Sequence, residues 1–508
     1  MTSKFLKLFS PFVRITPEIK QPDHEITFKD KLIYTFIVLL IYTIMSNVPI
    51  YGIATEVGAD YYYWLRVILA SNRGTLTELG IGPIVTAGLI LQLLQGSKLI
   101  NVNMSDPADR ALFTGAQKVI AIMLTMIQII AYIFGDAFGD HLNVDGNGLT
   151  TTDMILIFIQ LLMAGIAIMM MDEVLQKGYG LGSGVSLFIA SGVAGQIFWN
   201  SFSWFTDEDG LPKGIIIAFF SVLFNPNNPN HDLRIRDLWI REANAPGLLG
   251  LFTTFLIFFV VIYVETMRVE IPLTYAGHKG YKGKYPMKLL YVSNIPVILA
   301  QALYANLLFG GQLLWNWSQE SGRATWWVSW FGEFETSESG QYLSPTKGLL
   351  KYLTAPRGLG SIITAFQEGE GGDLILQSVI YLIIFVTICV VFGQIWVEVS
   401  GLAPKDIAGQ ILDSRMQIPG FRRSEKVIEK ILKRYIGPLT IICGIIVGVL
   451  SFLADFLGAL STGTGLLLTV GIIQNYAETI SQEAAKEQFP GMGAFFGYCS
   501  FFSAPLEI

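Results

Sequence analysis

Apolar residues run through this chain in long blocks separated by short polar connections. Ten blocks, at 31–51, 82–98, 117–135, 153–171, 184–201, 247–265, 288–311, 374–396, 435–454 and 462–479, carry no Asp, Glu, Lys or Arg in their middles. A bilayer core is crossed by about 20 apolar residues at helical rise, so the pattern predicts ten transmembrane helices. The second block breaks the rule. In "TELGIGPIVTAGLILQLLQGSK" (Thr77–Lys98) the apolar core is too short to span, and a second short apolar piece, "DYYYWLRVILASNRGT" (Asp60–Thr75), stands directly before it. Five blocks precede the long connection 202–246 and five follow it. An odd number turns the second half upside down relative to the first, which is the inverted-repeat plan with its functional path between the halves. That inference rests on parity; the residues themselves show no convincing repeat.

Composition agrees with a polytopic membrane protein. Of 508 residues, 52% are hydrophobic and 15% charged, against about 25% charged in soluble domains; the mean hydropathy is +0.51. The net charge of −6 matters less than where the charges stand. With the N-terminus in the cytoplasm, 24 of the 34 Lys and Arg fall on cytoplasmic segments, so the positive-inside rule places both termini there. The opening stretch "SKFLKLFSPFVRIT" is amphipathic; it suits a membrane surface better than a cleaved leader, and a merely basic leader is an equal reading. Cys389, Cys443 and Cys499 stand far apart in apolar surroundings and His24, His141, His231 and His278 in polar connections, so neither a disulfide framework nor a metal site is expected, and no cofactor.

Three classes compete on these residues. An ion-coupled transporter usually holds ionisable groups inside its spans, and these spans hold none; Glu265 and Glu478 sit only at ends. An enzyme needs a reactive grouping, and no Ser/His/Asp, HExxH or paired-carboxylate arrangement is present. "GYGLGSG" (Gly178–Gly184) lacks the GK[ST] ending of a phosphate loop and leads into a span. A passive or protein-conducting pore tolerates uncharged spans and can be closed by an apolar constriction that excludes water.

The motifs then narrow the choice. "ELGIGPIVTAGLILQLLQGS", "LGSGVSLFIASGVAGQIF", "YPMKLLYVSNIPVILAQAL" and "WVEVSGLAPKDIAGQILDSRMQIPGFR", in that order, with "STGTGLLLTVGI" near the end, resemble the SecY family, the pore subunit of the Sec protein-conducting channel, in its archaeal and eukaryotic form. The resemblance implies an all-α fold with ten helices in two inverted five-helix halves around a central pore. It divides the chain into a cytoplasmic segment 1–30, a first half 31–201, an outer hinge loop 202–246, a second half 247–483 with basic cytoplasmic loops 266–287 and 397–434, and a tail 484–508. It also accounts for the split second helix: 59–71 is the plug of the closed pore, and the part from about Gly82 lines the pore. Gly74, Gly80, Gly82 and Pro83 interrupt any continuous helix there, and broken helices survive at membrane depth only where they line a cavity.

By resemblance, the pore ring is Ile81, Val85, Val185, Ile189, Ile298 and Leu468, with two pairs at i, i+4 on one helix face. The lateral gate carries Thr86, Gln128 and Asn306. The 6/7 and 8/9 loops hold 13 Lys and Arg; the family docks ribosomes there, and Lys279, Lys282, Lys284 and Arg422 are the matching choices. The implied partners are a SecE-like clamp subunit, a third small subunit of SecG or Sec-beta type, the ribosome, signal sequences and nascent polypeptides, and lipid. The expected function is passage of secretory polypeptides and lateral release of hydrophobic segments, not an enzymatic activity, in the plasma membrane; a small-solute transporter is the alternative. The aromatic outer loop 311–373, the enlarged loop 202–246 and the aromatic tail depart from the family and carry no assignment.

Overall fold

The computed structural model describes the chain apart from residues 1–3, 15, 25, 52–69, 98, 101, 103–106, 135–150, 207–210, 225–237, 242–245, 276–281, 293–294, 321–325, 337–342, 356–357, 360–361, 364–365, 367–368, 370, 414–415, 420–423 and 489–508. A helix answers each expected span: α2 (Phe28–Met45), α3 (Gly82–Gly96), α4 (Pro107–Phe134), α5 (Thr151–Val174) and α6 (Gly184–Phe202), then α8 (Leu248–Thr266), α9 (Ile295–Glu320), α11 (Gly371–Val399), α13 (Glu425–Phe456) and α14 (Gly463–Gln488). Seven of these are long and apolar enough, by length and composition, to cross a membrane, and α3 is a shorter apolar helix. Their outward faces stay apolar, as at Ile33, Phe36, Phe259 and Ile383, which suits lipid and not water. The plug segment 59–71 lies outside the described residues except for Ala70 and Ser71.

Between the spans, the structure adds elements that apolar periodicity does not reveal. The hinge loop contains α7 (Ile215–Phe224), and the outer loop after α9 contains α10 (Trp326–Phe331) and a hairpin of β3 (Glu333–Thr336) and β4 (Leu343–Lys347). Trp317, Trp326, Trp327 and Trp330 are exposed on that side. The last helix runs past the expected boundary at 483, to Gln488. The amphipathic opening forms α1 (Lys4–Val13), and it is docked on protein: Val13 rests on Gly115 of α4, and Phe9 packs against the cluster of Leu91, Ile100, Phe113 and Ala116.

The two basic loops become one surface. β1 (Arg268–Tyr275) and β2 (Lys282–Lys288) form an antiparallel hairpin in the 6/7 loop. β5 (Met416–Gln417), from the 8/9 loop after α12 (Pro404–Asp413), adds to its free edge through Thr274↔Gln417. The short strands depart from the all-α expectation for a local reason: alternating residues in "RVEIPLTY" suit a half-buried strand, and Ile271 and Leu273 are indeed buried while Glu270 and Pro272 face out. The hairpin base is tied to α14, with Lys288 Nζ 3.0 Å from Glu478 Oε2 and Arg268 Nη2 3.4 Å from Glu478 Oε1.

Candidate functional site: an apolar ring and a polar seam

Four helices bring residues of their first turns together. The turn before α3 is pinned first: the Tyr42 hydroxyl donates to the carbonyl of Ala70, the Ser71 hydroxyl to that of Glu78, and the amide of Gly74 to the Glu78 carboxylate. Pro83 then occupies the first turn of α3, where its missing N–H costs nothing. Ile81 and Val85 project from this start. Val185 and Ile189 stand in the first two turns of α6, Ile298 in the first turn of α9 and Leu468 in the second turn of α14.

All six residues expected in the ring meet in one apolar cluster. Ile81, Ile189 and Leu468 are fully buried, and Val85, Val185 and Ile298 pack against them partly buried. The cluster closes with Val38, Tyr42, Phe188 and Val193, and the Tyr42 ring stacks on Phe188 with centroids 4.3 Å apart. An aliphatic plug of this kind binds no ion and disfavours water.

Two of these helix starts share a construction. The carboxylate of Asp172, at the end of α5, accepts the amide of Val185 at 3.0 Å and the Ser183 hydroxyl at 3.4 Å. The carboxylate of Asp455, at the end of α13, accepts the amide of Gly463 at 2.8 Å. Both aspartates are buried. Each satisfies an amide that the first turn of a helix would leave without partner. Sequence reading passed over both, since they fall one residue beyond the ends assigned to their spans; an acid at a span end shortly before a glycine-led span was the available signal.

The polar residues expected at the seam also converge. Asn306 of α9 donates its amide to the Thr86 hydroxyl of α3 across 3.0 Å, and to the carbonyl of Ala302. Thr86, Gln128 of α4 and Asn306 line one recess together with Tyr132 and Phe309. α3 packs against α4 on one side and α9 and α11 on the other, so this hydrogen bond bridges the two halves.

The expected cytoplasmic contacts are only partly visible. Lys284 is exposed and ion-paired with Glu270 across the hairpin, and Lys282 stands in β2 opposite Thr274. Lys279 and Arg422 lie outside the described residues.

A bundle of apolar helices whose first turns meet in one apolar cluster suits a multi-pass membrane channel. The SecY family profile matches residues 75–477, and that of the plug domain of Sec61p matches residues 40–74. The chain is 40% identical to the protein transport protein Sec61 subunit alpha of Dictyostelium discoideum over 499 residues, 98% of this chain and 100% of that one. It superposes on a structure described as that of a protein conducting channel with a TM-score of 0.76 at 37% identity, covering 95% of this chain and 99% of that one. The canine Sec61 of a ribosome-channel complex from the endoplasmic reticulum gives 0.73 at 37% identity, with the same coverage. The chain belongs to the SecY family. It is the pore subunit of a protein-conducting channel, and the small-solute transporter alternative is not favoured.

Proposed function

We propose that polypeptides cross through the ring of Ile81, Val85, Val185, Ile189, Ile298 and Leu468, and that hydrophobic segments leave sideways into lipid between α3–α4 and α9–α11, past Thr86, Gln128 and Asn306. The observation that carries this is the convergence of six aliphatic side chains from four helix starts in one cluster. Aliphatic chains can part around any sequence and reclose without specific partners. The Asn306–Thr86 hydrogen bond holds the seam together, and a signal sequence that displaces it gains lipid contact in exchange. Photocrosslinkers at Thr86 and Asn306 should capture a stalled signal sequence, whereas one at Phe259, on the lipid-facing side of α8, should not. Equal capture at all three would overturn the seam.

In this reading 59–71 is the plug, a SecE-like clamp and a small third subunit complete the channel, and the ribosome supplies the driving force. The three-stranded sheet supports ribosome docking, because it joins the 6/7 and 8/9 loops into one basic platform. Exposed pairs such as Lys284–Glu270 are worth little and yield easily to a phosphate. Reversal of charge at Lys282 together with Arg422 should weaken ribosome binding and flatten its salt dependence, since fewer phosphates release counterions. Unchanged affinity across a salt titration would leave topology as the only reason for those charges.

Both termini are cytoplasmic in this reading. Cysteines placed in the 3/4 connection should label only from outside and those in the 8/9 loop only from the cytosol; labelling of both from one side would overturn the orientation. The membrane is the plasma membrane, which fractionation against an internal-membrane marker tests.

A further inference from the structure

α6 and α14 are the last spans of their respective halves, and each starts on a glycine that sits against the aspartate of the preceding span. A Cβ on Gly184 would stand 2.7 Å from the Asp172 Cα and 3.0 Å from its Oδ1. A Cβ on Gly463 would stand 2.1 Å from the carbonyl oxygen of Ser451 and 3.0 Å from the amide nitrogen of Asp455. Only a bare backbone brings either helix start this close. The carboxylate then takes an amide of the new helix, that of Val185 in one half and of Gly463 in the other. Five residues beyond the glycine, in both halves, comes a fully buried ring residue: Ile189 after Gly184, Leu468 after Gly463. Aligned on the glycines, "GVSLFI" and "GTGLLL" (184–189 and 463–468) put Val185 opposite Thr464 and Ile189 opposite Leu468. The structure gives this short correspondence its meaning, because both glycines seat against a buried aspartate.

We propose that Asp172 and Asp455 are paired positioning residues that set the height and angle of the ring side chains Ile189 and Leu468, one for each half. Helical rise is about 1.5 Å per residue, so Ile189, four residues beyond the anchored amide of Val185, and Leu468, five beyond that of Gly463, stand about 6 and 7.5 Å along their helices from the anchors. Neither aspartate belongs to the constriction; each acts through the helix it holds. Asp172 is itself braced, with Gln176 Nε2 donating to its second oxygen at 2.9 Å. The C-terminal end of α6 is also tied to the turn that leads into α14, Ser461 Oγ donating to Gln196 Oε1 at 2.9 Å and Asn200 Nδ2 to the carbonyl of Leu460 at 2.7 Å. A shift of either start is therefore transmitted to the ring and not absorbed at one helix.

The inference rests on the ring reading. Its test uses the full chain, purified with its accompanying subunits and reconstituted in planar bilayers, with resting ion conductance as the readout and acceptance of precursors with weakened signal sequences as a second one. D172A and D455A remove the acceptor and should raise conductance and relax stringency, and the double variant should do so more than either. D172N and D455N keep an oxygen at the same reach and should stay near wild type. D172E and D455E keep an acceptor one methylene too far and should leak; they carry the same expectation if an alanine variant does not accumulate. T27A removes the cap that Thr27 gives to the amide of Asp30 at the start of α2, away from the ring, and should conduct as wild type does. Alanine and glutamate variants that fold and conduct as wild type would overturn the proposal. So would a leak of the same size in T27A, or asparagine variants that leak as much as alanine, since position of the acceptor would then not matter. The I189N/I298N double variant separates the two readings: if it leaks and the aspartate variants do not, the positioning role fails and the ring stands; if it does not leak, the ring itself fails.

Discussion

Replacing Ile189 and Ile298 together by asparagine should turn the resting channel into a leaking one. Ile189 is fully buried in the ring cluster and Ile298 packs against it from the first turn of α9. Each loses most of the stabilisation of a buried aliphatic side chain, about 1.5–3 kcal/mol, and each offers water a donor and an acceptor where none existed. Both effects fall on the closed state, because closure consists of this packing, while the open state already has solvent in the passage. The equilibrium shifts toward open and the dewetting barrier falls. Reconstituted bilayers should show steady ion current without a translocating chain, and cells should export precursors whose signal sequences are too weak for the wild type. A solute transporter would lose uptake of one compound with no change in signal-sequence stringency. An I189N/I298N channel that holds ions back and still rejects weak precursors would remove the ring from these six residues.

The second large effect is expected at the two helix-start glycines. Gly463→Ala places a methyl carbon 2.1 Å from the Ser451 carbonyl oxygen, and Gly184→Ala places one 2.7 Å from the Asp172 Cα. The obstacles are backbone atoms, so no rotamer change relieves them; the helix start has to move, at about 1–3 kcal/mol for overpacking of this kind, with the larger loss at Gly463. Thermal unfolding of the reconstituted protein should fall for both. Gly310→Ala in α9 is the control. Nothing lies within 4 Å of its added Cβ, and alanine in a helix interior is favoured over glycine by about 0.5–1 kcal/mol, so stability should hold or rise. If Gly463→Ala is as stable as Gly310→Ala, the close seating of α14 on α13 is not required.

Much of this molecule was legible before any coordinate. The ten apolar blocks became helices because in a membrane the backbone must satisfy itself, and an uninterrupted apolar run of sufficient length leaves it no other regular form. Gly80, Gly82 and Pro83 located the start of α3 for a local reason: glycine breaks a regular run and proline opens a helix. Motif resemblance placed the six ring residues, and they proved to lie in one cluster.

What periodicity could not reach was structure made by short polar segments. The 6/7 loop reads as basic and irregular, yet it forms a hairpin whose edge is completed by two residues from a loop more than a hundred positions away; a pairing of that kind has no local signature. α1 was read from its amphipathic face alone, which says that an apolar partner exists and not which one; the partner turned out to be α4.

By itself, then, the sequence determined where the apolar helices run, the break before the second of them, and through its motifs the kind of channel. Hydrophobic length and charge placement are properties of single segments weighed against a bilayer, so they are complete in one dimension. Only the tertiary structure decided that Asp172 and Asp455 hold the starts of two helices in opposite halves, that Ile189 and Leu468 meet in one cluster, and that Asn306 reaches Thr86. The hydrogen bonds among those relations join residues 8 to 220 positions apart. They exist only once two packed helices have chosen a common depth, and that choice belongs to the fold.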